Sequence, residues 1–147
     1  MNDIIEKKHN NEDRSHNSLV VVTDDKDRTL ILKRPSTLPP EKYPSLWGLP
    51  GGGSLAGEDP MATALRETQE ETGIVFKRGD LKFLSEKDRG DKKIFFYKAF
   101  TNEQPKLENV LDEHVAFRWI GPDEIKNYKM IKDTAQIIKD GLTGVTE

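Results

Sequence analysis

The segment "GLPGGGSLAGEDPMATALRETQEETGI", residues 48–74, limits the fold more than any other part of the chain. It sets six glycines and five acidic residues beside a single arginine. Asp59-Pro60 supplies an N-cap and a proline at the first helical position, and Gly73 stops the helix. A glycine-rich loop therefore runs into one helix near the middle of the chain, and strands must be found on either side of it. "SLVVVTDDKDRTLILKRP" predicts a hairpin with strands near 18–23 and 28–33, and "WGLP" a short strand before the glycines. "DLKFLSEK", "KKIFFYKAFT" and "VAFRWI" predict three more strands, and "GPDE" leads into a short helical turn. "MIKDTAQIIKDGL" predicts a closing helix with Gly141 near its end. The loop "PSTLPPEKYPSLW" takes four of the eight prolines and is read as irregular. The pattern is mixed α/β.

The 147 residues suit one domain with a single core. The polar start, "MNDIIEKKHNNEDRSHN", reads as a disordered tail over residues 1–17, leaving residues 18–147 as the domain. With 23 basic against 26 acidic residues, nothing points to general nucleic-acid or membrane binding. The chain has no cysteine, which removes disulfides, thiolate metal sites and a cysteine nucleophile together. It contains no apolar run of membrane-spanning length, and its start lacks a signal-peptide core, so a soluble cytoplasmic protein is expected.

On a helical wheel with Arg66 at zero, Glu70 falls near about 40°, Glu67 near about 100° and Glu71 near about 140°. Thr68, Met61, Thr72 and Leu65 gather on the opposite side, at roughly 200–260°. The acidic stripe holds like-charge pairs that each cost about 0.2–0.5 kcal/mol in an isolated helix. A solvated face usually interleaves lysine with glutamate, yet no lysine occurs between Lys42 and Lys77. Arg66 can pair with Glu70, which leaves two carboxylates uncompensated. A hard divalent cation, Mg²⁺ or Mn²⁺, takes carboxylate oxygens and keeps positions open for substrate phosphates.

The loop "PGGGSLAGE" lets the backbone approach a ligand closely. It lacks the Gly-Lys-Ser/Thr of the phosphate loop of nucleotide kinases. Gly51, Gly53 and Ala56 fit G-x-G-x-x-A, but a dinucleotide site needs its helix to open at the glycines, and Asp59-Pro60 starts this one later. The glycines could also serve only a tight turn.

Loop, helix and spacing together resemble the box of the Nudix hydrolases: Gly52, five residues, Glu58, seven residues, Arg66-Glu67-Thr68, one residue, Glu70-Glu71, one residue, Gly73-Ile74. Seven fixed positions at roughly 7% each coincide by chance at about 10⁻⁸ per window. One position departs: Thr68 stands where the family usually has a bulky aliphatic residue. The resemblance implies an α/β/α sandwich on a mixed sheet and metal-dependent hydrolysis of a nucleoside diphosphate linked to another group. It implies Glu70 and Glu71 as principal ligands of Mg²⁺ or Mn²⁺, beside the backbone carbonyl of Gly51. Glu67 would be a ligand or the base, oriented by Arg66, with Glu58 at the edge of the cluster. A further acid before the last strand, Glu113 with Asp112 as its rival, would be ligand or base. Lys33 and Arg34, ending the second strand, and Gly52 are candidates for the substrate phosphates. Trp47 and Trp119 could stack on a base but suit the core equally. His114 is read as structural.

On substrate the box says little. Members similar to ADP-ribose hydrolases often carry a proline beyond the box, and none occurs between Pro60 and Pro105. Dinucleoside polyphosphate hydrolases often carry a tyrosine there, and Tyr97 lies farther along. The default is therefore a MutT-like enzyme for nucleoside triphosphates, with NDP-sugars, ADP-ribose, dinucleoside polyphosphates and 5′-triphosphate RNA ends open. The rival class is a Nudix sensor that binds a nucleotide without turnover. Such a domain usually has an eroded box, whereas every charged box residue is present here. The oligomeric state, homodimer included, stays open.

Overall fold

The computed structural model describes residues 12–143. Strand β1 (Glu12–Thr23) begins six residues before the expected 18, so residues 12–17 are strand and not tail; residues 1–11 lie outside the described residues. The physical reason is a partner on each side: Asn17 pairs with Gly53, and His16 and Asn17 pair with Lys93 and Ile94. Those ladder bonds hold a polar segment extended that has no apolar alternation of its own.

The remaining strands follow as β2 (Thr29–Lys33), β3 (Trp47–Gly48), β4 (Gly51–Leu55), β5 (Lys82–Asp88), β6 (Lys93–Phe100) and β7 (Ala116–Ile120). Helices α1 (Pro60–Thr72), α2 (Leu107–Glu113) and α3 (Thr134–Thr143) complete the described residues, with short 3₁₀ turns between. β1 and β6 run parallel and the other pairs antiparallel, in the order β3-β2-β1-β6-β5, with β4 on β1 and β7 on β2. β1 and β2 touch at Thr23 and Thr29 and then part. Residues 47–55 fill the wedge, β3 on the end of β2 and β4 on the first half of β1.

β4 corrects the expectation of a loop at the glycines. A Cβ at Gly51 would lie 2.1 Å from the Ser18 carbonyl oxygen, so only glycine lets β4 press this close to β1. α2 also went unpredicted. Gly141 lies inside α3, where a Cβ would meet Val21 Cγ1 at 3.0 Å, so it brings the helix onto the sheet and does not end it.

The sheet is covered on both faces, which is why β1 reads "LVVV" without alternation. Val20, Val22, Leu30 and Leu32 pack under α1 and α2 with Ala64 and Val110. Val21, Ile31 and Ile120 face α3 with Ile137 and Ile138. This is the expected α/β/α sandwich. Among the described residues no helix is long and apolar enough to cross a membrane.

α1 is capped as expected: the Asp59 carboxylate accepts from Ala62 N, and Gly73 closes the helix at φ 77°. Its buried arc is wider than the wheel suggested and takes in Glu67 and Glu71 along with Thr63, Ala64, Thr68 and Thr72. Thr68 is fully buried, and its hydroxyl has no hydrogen-bond partner. Thr68→Val, which keeps the shape and removes the orphan hydroxyl, is therefore expected to stabilise the fold by about 1 kcal/mol. Thermal unfolding should show a rise of about 2–4 °C with turnover unchanged; a lower melting temperature would show that the hydroxyl is satisfied.

Candidate active site

Arg66 organises the acidic face. Its Nε and Nη2 donate to the two Glu58 oxygens at 2.8 and 3.0 Å, a bidentate pair. Nη2 also donates to the Gly53 carbonyl at 2.9 Å, which ties α1 to β4. Nη1 donates to Glu67 at 2.9 Å and reaches Glu70 at 3.3 Å. Burial opposes the charge on Arg66, but Glu58 and Glu67 more than reverse this and raise its pKa, so it stays protonated. Burial likewise works against the Glu58 carboxylate; hydrogen bonds from Arg66, Leu55 N and Thr63 outweigh it and hold the group below the usual range.

Glu67, held by Arg66 Nη1, and Glu71 are the buried carboxylates of this face. They are 9% and 7% exposed, which is rare for carboxylates without full compensation. Burial pushes Glu67 up, and the charges of Glu70 and Glu113 add to it against the pull of Arg66. Burial drives Glu71 well above the usual carboxylate range, and Glu67 and Glu113 add to it. Only the Gly51 N–H, donating to Glu71 Oε1 at 3.0 Å, and the charge of Arg34 oppose this.

Glu113 is an exposed residue at the end of α2, not on a loop, and its field reaches both Glu67 and Glu71. α2 delivers it there by docking on the end of α1. Asn109 Nδ2 donates to the Gln69 and Glu70 carbonyls, and Lys106 N donates to the Thr72 carbonyl at 2.7 Å. Asp112, its neighbour on α2, is exposed as well. The signal for α2 was Leu107, Val110 and Leu111 at helical spacing after Pro105; only Val110 is buried, so the stripe was too thin to stand out.

The two basic candidates separate. Arg34 acts on Glu71 and on His114, and its Nε is buried without a hydrogen-bond partner. Lys33 points to the α3 face, where its Nζ lies 5.9 Å from the centre of the Trp47 ring; the Arg118 guanidinium lies 5.7 Å from the same ring. The alternation of β2 forces this: Leu32 and Arg34 face α1, Ile31 and Lys33 face α3. Trp47 is buried edge-to-face with Tyr128; Trp119 is half-buried against the core under α1 and donates Nε1 to Gln104. His114 is buried, its Nδ1 has no partner, and burial and Arg34 pull it down to about 4.

Do these residues fit a divalent cation? A Cβ at Gly52 would lie 2.6 Å from Glu67 Oε2, so only glycine lets that carboxylate sit against β4. The donors available are all oxygen: Glu67, Glu70, Glu71 and backbone carbonyls, the set a hard cation takes. Among the described residues no three acidic or imidazole side chains converge as a ready cation cage. Arg66 Nη1 bridges Glu67 and Glu70, and the Gly51 N–H holds Glu71. The all-oxygen donor set and the burial of Glu71 among acidic neighbours fit a hard divalent cation.

The chain matches the NUDIX domain over residues 14–141. Over 109 residues it is 36% identical to the asymmetrical bis(5′-nucleosyl)-tetraphosphatase of Sus scrofa, spanning 65% of this chain and 69% of that one. Among solved structures it resembles a MutT Nudix hydrolase from Burkholderia pseudomallei at 25% identity and TM-score 0.69, covering 85% of this chain and 95% of that one. It also shares its fold with a C. elegans Ap4A hydrolase at 17% identity and TM-score 0.62, covering 89% and 97%. This chain belongs to the Nudix hydrolases, enzymes that act on pyrophosphate bonds.

Gly52→Ala tests the cradle. A methyl group there must displace the Glu67 carboxylate, and kcat should fall about 100-fold while the melting temperature stays near wild type. Unchanged kcat would mean that the position of Glu67 does not matter to the reaction.

Proposed function

We propose that this enzyme splits a dinucleoside polyphosphate asymmetrically, with Mg²⁺ or Mn²⁺ as its ion. The observation that carries the reaction is the pair of buried box carboxylates, Glu67 and Glu71, seated against Gly52 and Gly51. The substrate class rests on the Sus scrofa relative. A nucleoside triphosphate is the second reading, supported by the likeness to the Burkholderia MutT protein.

Glu70, Glu71 and the Gly51 carbonyl would hold the ion, with Glu67 beside them. When bound, such an ion neutralises phosphate charge, lowers the pKa of the attacking water and stabilises the leaving phosphate. Arg66 keeps Glu67 in place. Arg34, whose charge acts on Glu71, would meet a substrate phosphate. Water attacks a phosphorus atom, the bridging P–O bond breaks, and the water proton passes to a carboxylate. We assign that role to Glu67, whose proton affinity burial raises, with Glu113 as the second acceptor. Lys33 takes no part, since it stacks on Trp47 across the sheet. The cytoplasm, where such nucleotides occur, is the proposed setting.

Product analysis separates the readings. Diadenosine tetraphosphate with Mg²⁺ or Mn²⁺ should yield ATP and AMP at a higher kcat/KM than dGTP, which would yield dGMP and pyrophosphate. The reverse preference would establish the triphosphate reading. No turnover of either would sink both.

A further inference from the structure

Four groups stand in line behind Glu67, and two of them lie outside the box chemistry described so far. His16 on β1 and Thr63 on α1 are buried, and His16 Nε2 lies 3.1 Å from Thr63 Oγ1. Thr63 Oγ1 lies 2.8 Å from Glu58 Oε1 and 3.2 Å from the Asp59 carbonyl. A threonine hydroxyl has one proton to give. The nearer acceptor carries charge, so the proton goes to Glu58. His16 must then donate to Thr63, which fixes the proton on Nε2. The chain of donation runs from His16 to Thr63 to Glu58, and Arg66 closes it by holding both Glu58 oxygens and one oxygen of Glu67.

The line is well anchored at its far end. The His16 ring packs edge-on against Phe95, with centroids 5.7 Å apart and planes at 89°. Two residues along β1, Ser18 donates to the Pro60 carbonyl at 2.7 Å, so the same strand grips the first turn of α1. Leu55 N donates to the same Glu58 oxygen as Thr63, at 3.0 Å. Glu58 Oε1 thus takes donors from α1, β4 and Arg66, and its angle to Arg66 depends on all three.

We propose that Thr63 and His16 are positioning residues of this hydrolase: through Glu58 they set the Arg66 guanidinium, and through it the Glu67 carboxylate. The inference rests on the hydrolase reading of the site, but the geometry of Arg66 can be read without turnover. Thr63→Val removes the hydroxyl and keeps the shape. Its kcat on the substrate that wild type turns over should fall about 10- to 100-fold, with KM changed less than about threefold. Thr63→Ser should restore kcat, because it returns the hydroxyl without the methyl. In the metal-free protein, the Arg66 Nε–H resonance should be protected from exchange in wild type and Thr63→Ser, and lose that protection in Thr63→Val. Wild-type His16 should show its proton on Nε2 by ¹⁵N NMR. Unchanged kcat and Arg66 protection in Thr63→Val would overturn the proposal, as would a Thr63→Ser variant as impaired as Val. If wild type turns over nothing, the hydrolase reading fails, and Arg66 protection alone decides whether the positioning holds.

Discussion

A single guanidinium makes the acidic helix foldable. Arg66 is the one basic residue between Lys42 and Lys77, and it meets Glu58, Glu67 and Glu70 together with the Gly53 carbonyl. It joins α1 to β4 and to the turn between them, so the glycine segment, the helix and the sheet share one set of charge-assisted bonds. Taking it away would strand buried carboxylates, a change that costs about 3–5 kcal/mol where one partner of a buried pair is lost. A lysine could not replace it, because the fork holds Glu58 with two nitrogens and still reaches Glu67 with the third.

What Arg66 leaves uncompensated defines the site. Glu71 has only the Gly51 N–H and the distant charge of Arg34 against its burial and its acidic neighbours. The sheet topology produces this directly. β1 and β2 part after one contact, the glycine segment enters the wedge, and Gly51 and Gly52 come up against the buried side of α1. α2 then docks on the end of α1 and brings Glu113 into the same field. Three separate segments therefore converge on one acidic cluster.

The helix, its caps and the charged box were legible in the sequence, because each rests on local chemistry: Asp59 as cap, Gly73 in the left-handed conformation, glutamates at helical spacing. β4 was not, because glycine carries no strand preference and pairing with β1 depends on a close approach that only the fold reveals. α2 hid because it buries one apolar residue, and the first part of β1 hid because its partners are distant in sequence. The substrate candidates show the same boundary. Lys33 and Arg34 are neighbours in the chain, but strand alternation sends one to Trp47 and the other toward Glu71. The depth of Glu67 and Glu71 was also out of reach, since a wheel gives a direction and not how much protein lies in it.

In the proposed mechanism Glu67, Glu70 and Glu71 share a face because a divalent cation completes it. Thermal unfolding of wild type and Glu71→Gln, with and without Mn²⁺ or Mg²⁺, tests this most directly. Wild type should be stabilised saturably, by about 2.7 kcal/mol at one hundred times the dissociation constant. Glu71→Gln should melt no lower than wild type without metal and lose most of that gain with it. Stabilisation that is absent in wild type, or equal in the two proteins, would mean that these carboxylates hold no cation.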